Sequence, residues 1–431
     1  MLSNPSLRIL AGLVAGLALG ALLAGSELGN QIARVAASTG QLWLDALTMP
    51  VVPMVFSLLA AGMMAAVGES SGSGLAGRSL MWFGVLLLGA CFIAIWVTLF
   101  TLNVLPLPAA AAGLASTSVG AAVPAQPSNW LSNIFPTNPI RAAAETAMVP
   151  IVIFAMLFGL AASRIESELR TAIDRLVRGV AETMLVIVRW VLKAGPIGVF
   201  ALAFGVGERL GSGAAGVLAH YVTVVIVVCL SATVLAYLCA ALFGGMSVIT
   251  FARAALPPQV IAVSTQSSLA SLPAMIETSP ALGVTRATAG VVLPMAVSLF
   301  RMASAAANVA VAIYLAQIHQ VALTPGTLVM GAAVAAAVSV AAVGLPAQIS
   351  FFAIIAPVCL AMGVPVTLLP LLLAIETLPD VFRTLGNVTA DIAVTRIVGR
   401  SEIVGRDHSV HEQGTRAIEV PSVSSTGEPI R

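Results

Sequence analysis

Apolar runs long enough to cross a bilayer constrain this chain more than any other feature. Residues 82–102, 221–243 and 287–317 each reach the roughly 20 apolar residues that a membrane-crossing helix needs. Inside lipid a backbone must satisfy its own hydrogen bonds, which leaves helices or a closed barrel. Barrel strands alternate over about 10 residues, whereas these runs are longer and uniformly apolar, so helices are expected. Composition agrees, with 59% of the residues hydrophobic and 9% charged, against about 25% charged in an ordinary soluble domain. A net charge of +2, without a basic patch interleaved with aromatics, gives no nucleic-acid reading. Cys91, Cys229, Cys239 and Cys359 lie singly in apolar runs, without the paired spacing of a metal site, and read as small core residues. The apolar stretch after Arg8 has the look of a signal peptide, but the many spans behind it favour a retained first helix.

The spans expected are 7–23, 42–67, 80–104, 140–162, 177–206, 216–243, 287–317 and 366–398. Two further apolar stretches are broken. Residues 247–279 are interrupted by Ser264, Thr265, Gln266, Ser267, Ser268, Ser271 and Pro273, and 327–363 by Gly344, Pro346 and Gln348. Broken polar backbone at membrane depth is tolerated only under protein or beside water, so both read as re-entrant hairpins lining a solute site. Two kinked ordinary helices are the plainer alternative. With a cytoplasmic N-terminus, Arg8, Arg78, Arg164, Arg170, Arg175, Arg178, Arg253, Arg286, Arg396 and Arg400 fall inside, and little more than Arg34, Arg141 and Arg209 outside, as the positive-inside rule asks. The uncharged connection 106–129 suits an outer loop, and the polar segment from Ser401 reads as a disordered cytoplasmic tail, so both termini are expected inside.

The last span carries Glu376, Asp380, Arg383, Thr384, Asn387 and Asp391. At 3.6 residues per turn they form one stripe, which must face protein because ionisable groups at membrane depth are costly and functional by default. A guanidinium can grip a carboxylate with two parallel hydrogen bonds, and an Asp one turn earlier suits an ammonium. Together they describe a site for an acidic amino acid or a dicarboxylate, unless Asp380 and Arg383 simply pair three residues apart. In the seventh span Ser298, Arg301, Ser304 and Asn308 share a face. Arg301 is expected to pair with Asp391 or Asp380, or else to snorkel to an interface.

Specific stretches then carry a likeness: MPVVPMVF at 49–56, FPTNP at 135–139, FAMLFG at 154–159, GPIGVF at 195–200, STQSSLASLP at 264–273, VGLP at 343–346 and DVFRTLGNVTAD at 380–391. From the first span to about Arg400 the chain resembles the dicarboxylate/amino acid:cation symporter family, the glutamate transporter family. The resemblance implies an all-α integral membrane protein with eight transmembrane helices, two re-entrant hairpins and an elevator mechanism, assembled as a homotrimer in the bacterial inner membrane. Scaffold helices would occupy 1–79 and 130–215, the transport unit 80–105 and 216–399, and the tail 400–431. It further implies that Asp380 meets the solute's amino group and Arg383 its side-chain carboxylate. Thr384, Asn387 and Ser304 would add polar contacts, and Gln266, Ser267, Ser268 and Gly344 those of the hairpin tips.

The departures fall on the cations. The family's Asn-Met-Asp-Gly-Thr signature aligns with Phe300, Arg301, Met302, Ala303 and Ser304, and Gly89 and Ala90 stand where hydroxyls are usual. A hard cation needs several oxygen ligands, so one sodium site looks erased. A second keeps Asn387 and Asp391, with Arg301 expected to neutralise Asp391 in place of the ion. A site near Ser298, built mostly from main-chain oxygens, keeps sodium open as a coupling ion beside the proton. The second hairpin tip also lacks family glycines, with Ala347 and Ile349 in their places. No cofactor is expected, and no metal site is assigned. The leading expectation is a secondary carrier of aspartate, glutamate or a related dicarboxylate, with sodium coupling reduced or replaced. A sodium-coupled dicarboxylate symporter and a non-transporting solute sensor are the alternatives. An enzyme is disfavoured because no histidine accompanies Ser267 and Ser268, and a channel because no filter-like motif occurs.

Overall fold

The computed structural model describes residues 5–70, 74–115, 136–211, 213–341 and 347–416. Among the described residues the fold is helical throughout, without strands. Among the described residues, five helices are long and apolar enough to cross a membrane, or six if one bent pair counts as a span.

Helices α1 (Pro5–Leu22), α2 (Glu27–Thr48) and α9 (Gly195–Leu210) pack as one group, and α3 (Val51–Ser70) packs on α7 (Met148–Ala162) and α8 (Ser167–Lys193). The α1/α9 contact is set by glycines four residues apart. A Cβ on Gly12 or Gly16 would stand 2.5 Å from the carbonyl oxygens of Pro196 and Phe200, and one on Gly20 would run into that of Phe204. Small residues at this spacing let two backbones touch, which is how helices associate where burial from water gives no drive. Trp43 of α2 then ties the corner between α8 and α9, its indole N–H donating to the Val191 carbonyl at 2.9 Å.

The remaining helices surround α14 (Met302–Ile318), in which every residue from 302 to 316 is buried. Around it stand α4 (Gly74–Val104), α10 (Gly213–Leu242), α15 (Pro325–Ala341), α16 (Ala347–Ala361) and α18 (Thr377–Arg416), while α13 (Arg286–Leu299) packs on α18 and α4. The first broken stretch is a helical hairpin of α11 (Val248–Thr265) and α12 (Ser268–Thr278), packed on each other. Its tip turns at Gln266, whose φ of 52° is left-handed. Ser247 and Ser267 cap the two arms, accepting from the backbone N–H of Thr250 and Ala270, the role in which short hydroxyl side chains excel. The arms of the second stretch, α15 and α16, also pack on each other and meet α3 and α7; the tip at 342–346, with Gly344 and Pro346, lies outside the described residues.

Several expected spans are not single helices. Helix α2 begins well before the span expected from Leu42, because its polar face hid a buried stripe of Gly29, Ala36, Gly40, Trp43, Leu44 and Leu47. The fourth span is split into α6 (Pro139–Ala144) and α7 by the left-handed Thr146, and the fifth bends by 59° between α8 and α9, where Pro196 opens the second piece. The seventh is broken at Phe300, which is extended, so the face ascribed to Ser298, Arg301, Ser304 and Asn308 does not run along one helix. The eighth is divided into α17 (Leu369–Leu373) and α18, with Glu376 at the break. Helix α18 also continues to Arg416, past the start at 400 expected for an unstructured tail: a polar sequence lacks a core face but still closes its own helical hydrogen bonds. Of the uncharged loop, 109–115 is helical, and 116–135 lies outside the described residues.

One end of the molecule is laced by arginines. Arg396 donates to the carbonyls of Gly244 and Leu282, Arg400 to that of Phe243, and Arg78 to that of Val398. Guanidinium groups thus satisfy carbonyls where α10 and the first hairpin end, as cations do near helix C-termini.

Candidate functional site

The site is built where α18 crosses α10 and α14. Asp380, Arg383, Thr384, Asn387 and Asp391 are all buried, so the stripe expected on one face looks into protein. Asn387 does structural work at once. Its Oδ1 accepts from the backbone N–H groups of Ala303 at 2.9 Å and Ser304 at 3.1 Å, and its amide donates to Ser304 Oγ at 2.8 Å. The first turn of any helix leaves N–H groups without partners; here α18 supplies the acceptor for α14, across the break at Phe300.

Arg383 pairs with Glu376, Nη2 to Oε1 at 2.7 Å, with both side chains buried. The pairing of Asp380 with Arg383 raised from spacing is therefore not the ion pair formed. The second Glu376 oxygen accepts from the Tyr221 hydroxyl at 3.3 Å, and Tyr221 packs edge-on against Tyr314 of α14. Arg383 Nε is buried with no hydrogen-bond partner among the described residues. Arg301 stands at the break and opens α14; the charges of Asp380, Arg383 and Asp391 act on it. Asp391 is fully buried, and neither carboxylate oxygen has a hydrogen-bond partner among the described residues, while Arg301 is the charge that acts on it.

At the first hairpin, Gln266 is exposed and Ser267 and Ser268 are half-buried, with Ser268 Oγ lacking a partner among the described residues. Ser298 lies near the end of α13, half-buried. The positions expected to have lost sodium ligands are packed apolar instead. Phe300 stacks on Phe83 of α4 with ring centroids 5.0 Å apart and planes 11° from parallel, and Met302 and Ala90 are buried. Carbon surfaces offer a hard cation nothing. No cluster of three or more His, Cys, Asp or Glu side chains occurs among the described residues.

The family model described as sodium:dicarboxylate symporter matches residues 6–401. The chain belongs to that family. Its members are symporters, not enzymes. Among relatives, a proton/glutamate-aspartate symporter of Escherichia coli is 25% identical over 92% of this chain and 92% of its own. A proton/sodium-glutamate symport protein of Bacillus caldotenax is 26% identical, covering 92% of this chain and 94% of its own. A C4-dicarboxylate transport protein of Solibacter usitatus is 30% identical over 63% of each chain.

Sequence reasoning placed the stripe but missed what frames it in this member of the family. Tyr221 was one aromatic in an apolar run, and its hydroxyl was the only signal. Gln259 was equally unremarked, yet its amide donates to Thr389 Oγ1 at 2.8 Å and to the Tyr237 hydroxyl at 3.0 Å, tying the first hairpin to α18 and α10. An amide beside Pro257 and Pro258 in an otherwise apolar arm was the available clue.

Proposed function

We propose that this chain is a secondary carrier of an acidic amino acid or a dicarboxylate, working in a bacterial inner membrane with sodium coupling replaced by protons or exchange. The observation that carries the reading is the buried Arg383, ion-paired with Glu376 but with its Nε lacking a hydrogen-bond partner among the described residues, and with Asp380 one turn before it. A guanidinium with an unused donor suits a carboxylate, and an acid beside it suits an amino group. The names of relatives, which include both glutamate-aspartate and C4-dicarboxylate carriers, span the same two solute classes.

In this reading eight spans and two re-entrant hairpins form an elevator. The group of α1 to α3 and α7 to α9 is the fixed scaffold, and α4 with α10 to α18 is the moving unit. Homotrimer assembly and cytoplasmic termini complete it; the arginine-laced end is the cytoplasmic one, in line with the positive-inside rule. Arg301 supplies the positive charge beside Asp391 that sodium would otherwise bring, and the Phe83–Phe300 stack fills a neighbouring ion position. A sodium-coupled symporter using main-chain oxygens near Ser298 is the competing reading.

Uptake of labelled aspartate and succinate into proteoliposomes, with sodium or pH gradients imposed separately, tests it. Uptake driven by the pH gradient or by internal solute, and indifferent to sodium, is the expected result. A steep sodium requirement overturns the coupling, and binding without flux would make the protein a sensor.

A further inference from the structure

Two prolines in succession weaken the arm of the first hairpin that leads to its tip. Pro257 and Pro258 lie inside α11, and a proline in a helix interior has no N–H to give to the carbonyl four residues back. The carbonyls of Arg253 and Ala254 therefore lose their helical donors, and two consecutive rungs are missing from the ladder. Pro273 removes another from the returning arm α12. The segment between these breaks carries Gln266, Ser267 and Ser268, so its own helices hold the tip less firmly than an unbroken pair would.

Gln259 directly follows the prolines, and its buried side chain ties the weakened arm to its neighbours. Nε2 donates to Thr389 Oγ1 at 2.8 Å and to the Tyr237 hydroxyl at 3.0 Å, and Oε1 accepts from the same hydroxyl at 3.3 Å. Thr389 gives its own proton to the Leu385 carbonyl at 2.7 Å, so towards Gln259 it can only accept, and only a donor can meet it. The arm is thus fastened, just past its weak point, to the helix that carries Arg383. From there to Gln266 is about 10 Å of helix.

We infer that Gln259 is a positioning residue for the solute: by pinning α11 to Thr389 and Tyr237 it sets how far the tip hydroxyls stand from Arg383. Ser268 Oγ is buried with no partner among the described residues, and a buried hydroxyl calls for one. A solute carboxylate held by Arg383 supplies the acceptor only if the tip stands at the right distance. Hydrogen bonds of this kind span about 2.5–3.0 Å, so a tip displaced by an ångström loses the contact. The inference rests on the carrier reading above, in which the tip and Arg383 share the solute.

The test compares variants that keep volume and remove the tie. Gln259→Met keeps the length of the side chain without its donors, and Thr389→Val removes the acceptor; Thr389→Ser keeps the hydroxyl. Calorimetry with aspartate and succinate on purified protein in detergent is paired with hydrogen exchange of the backbone at 264–268, with α14 as the internal reference. Gln259→Met and Thr389→Val should each weaken binding about three- to tenfold and speed exchange at the tip by a similar factor. Thr389→Ser should behave as wild type, and in a Ser267→Ala, Ser268→Ala background Gln259→Met should weaken binding no further. A lower melting temperature with unchanged affinity in folded Gln259→Met protein makes the residue a packing element and overturns the inference. So does an undiminished further loss in the background without the serines. Should Gln259→Met fail to fold, Thr389→Val decides by the same readouts. Folded wild-type protein that binds neither probe overturns the carrier reading and, with it, the solute role of Gln259, while tip exchange still reports whether the amide holds the hairpin.

Discussion

At the scale of single residues, the Arg383–Glu376 pair makes two predictions with different signatures. Arg383→Ala strands a buried carboxylate, and losing one partner of such a pair costs on the order of 3–5 kcal/mol; unfolding in detergent should report it as a marked loss of stability. Arg383→Lys keeps the charge but not the fork, so the fold should survive while solute affinity falls about tenfold or more, measured by calorimetry. Asn387 is a third case. Its Oδ1 receives the Ala303 and Ser304 N–H groups, so Asn387→Ala leaves both buried and unsatisfied and should cost about 2–3 kcal/mol, read as a lower melting temperature. Of this site, the stripe from Asp380 to Asp391 was legible, because charges in an apolar run must face inward. Glu376 as partner of Arg383 was not, because the helix starts only at Thr377 and spacing along a helix says nothing about a residue at its break.

At the scale of elements, helix contacts depend on features that hydropathy does not weigh. Gly16 lies so close to α9 that a Cβ would stand 2.9 Å from that of Ala203 as well as 2.5 Å from the Phe200 carbonyl. Gly16→Leu should force α1 from α9 and lower the melting temperature, whereas Leu10→Ala, at an exposed position of the same helix, should leave it nearly unchanged. The first hairpin was readable as a broken stretch because serines interrupt it at its tip, and the second stretch divides into α15 and α16, with its tip outside the described residues. The breaks at Phe300 and between α17 and α18 were not readable, since residues that are apolar in sequence stay apolar whether helical or extended. The early start of α2 was hidden for the opposite reason: Arg34, Gln41 and Asp45 dilute its mean hydropathy while Trp43 and Leu47 are buried.

At the scale of the whole molecule, the proposed carrier joins an anion site on α18 to a cation position taken over by protein. Phe300 and Arg301 sit together at the junction of α13 and α14, one stacked on Phe83 and the other charged beside Asp380 and Asp391. Replacing Arg301 by Met should therefore weaken solute binding in sodium-free buffer, because Asp391 loses its compensating charge. The most direct measurement is the binding of aspartate and succinate to the purified wild-type protein by calorimetry, in sodium chloride and in choline chloride. Equal affinity in the two salts, lowered about tenfold or more in Arg383→Lys, is the predicted result; affinity that vanishes without sodium, or that is unchanged by the loss of the guanidinium, would contradict it.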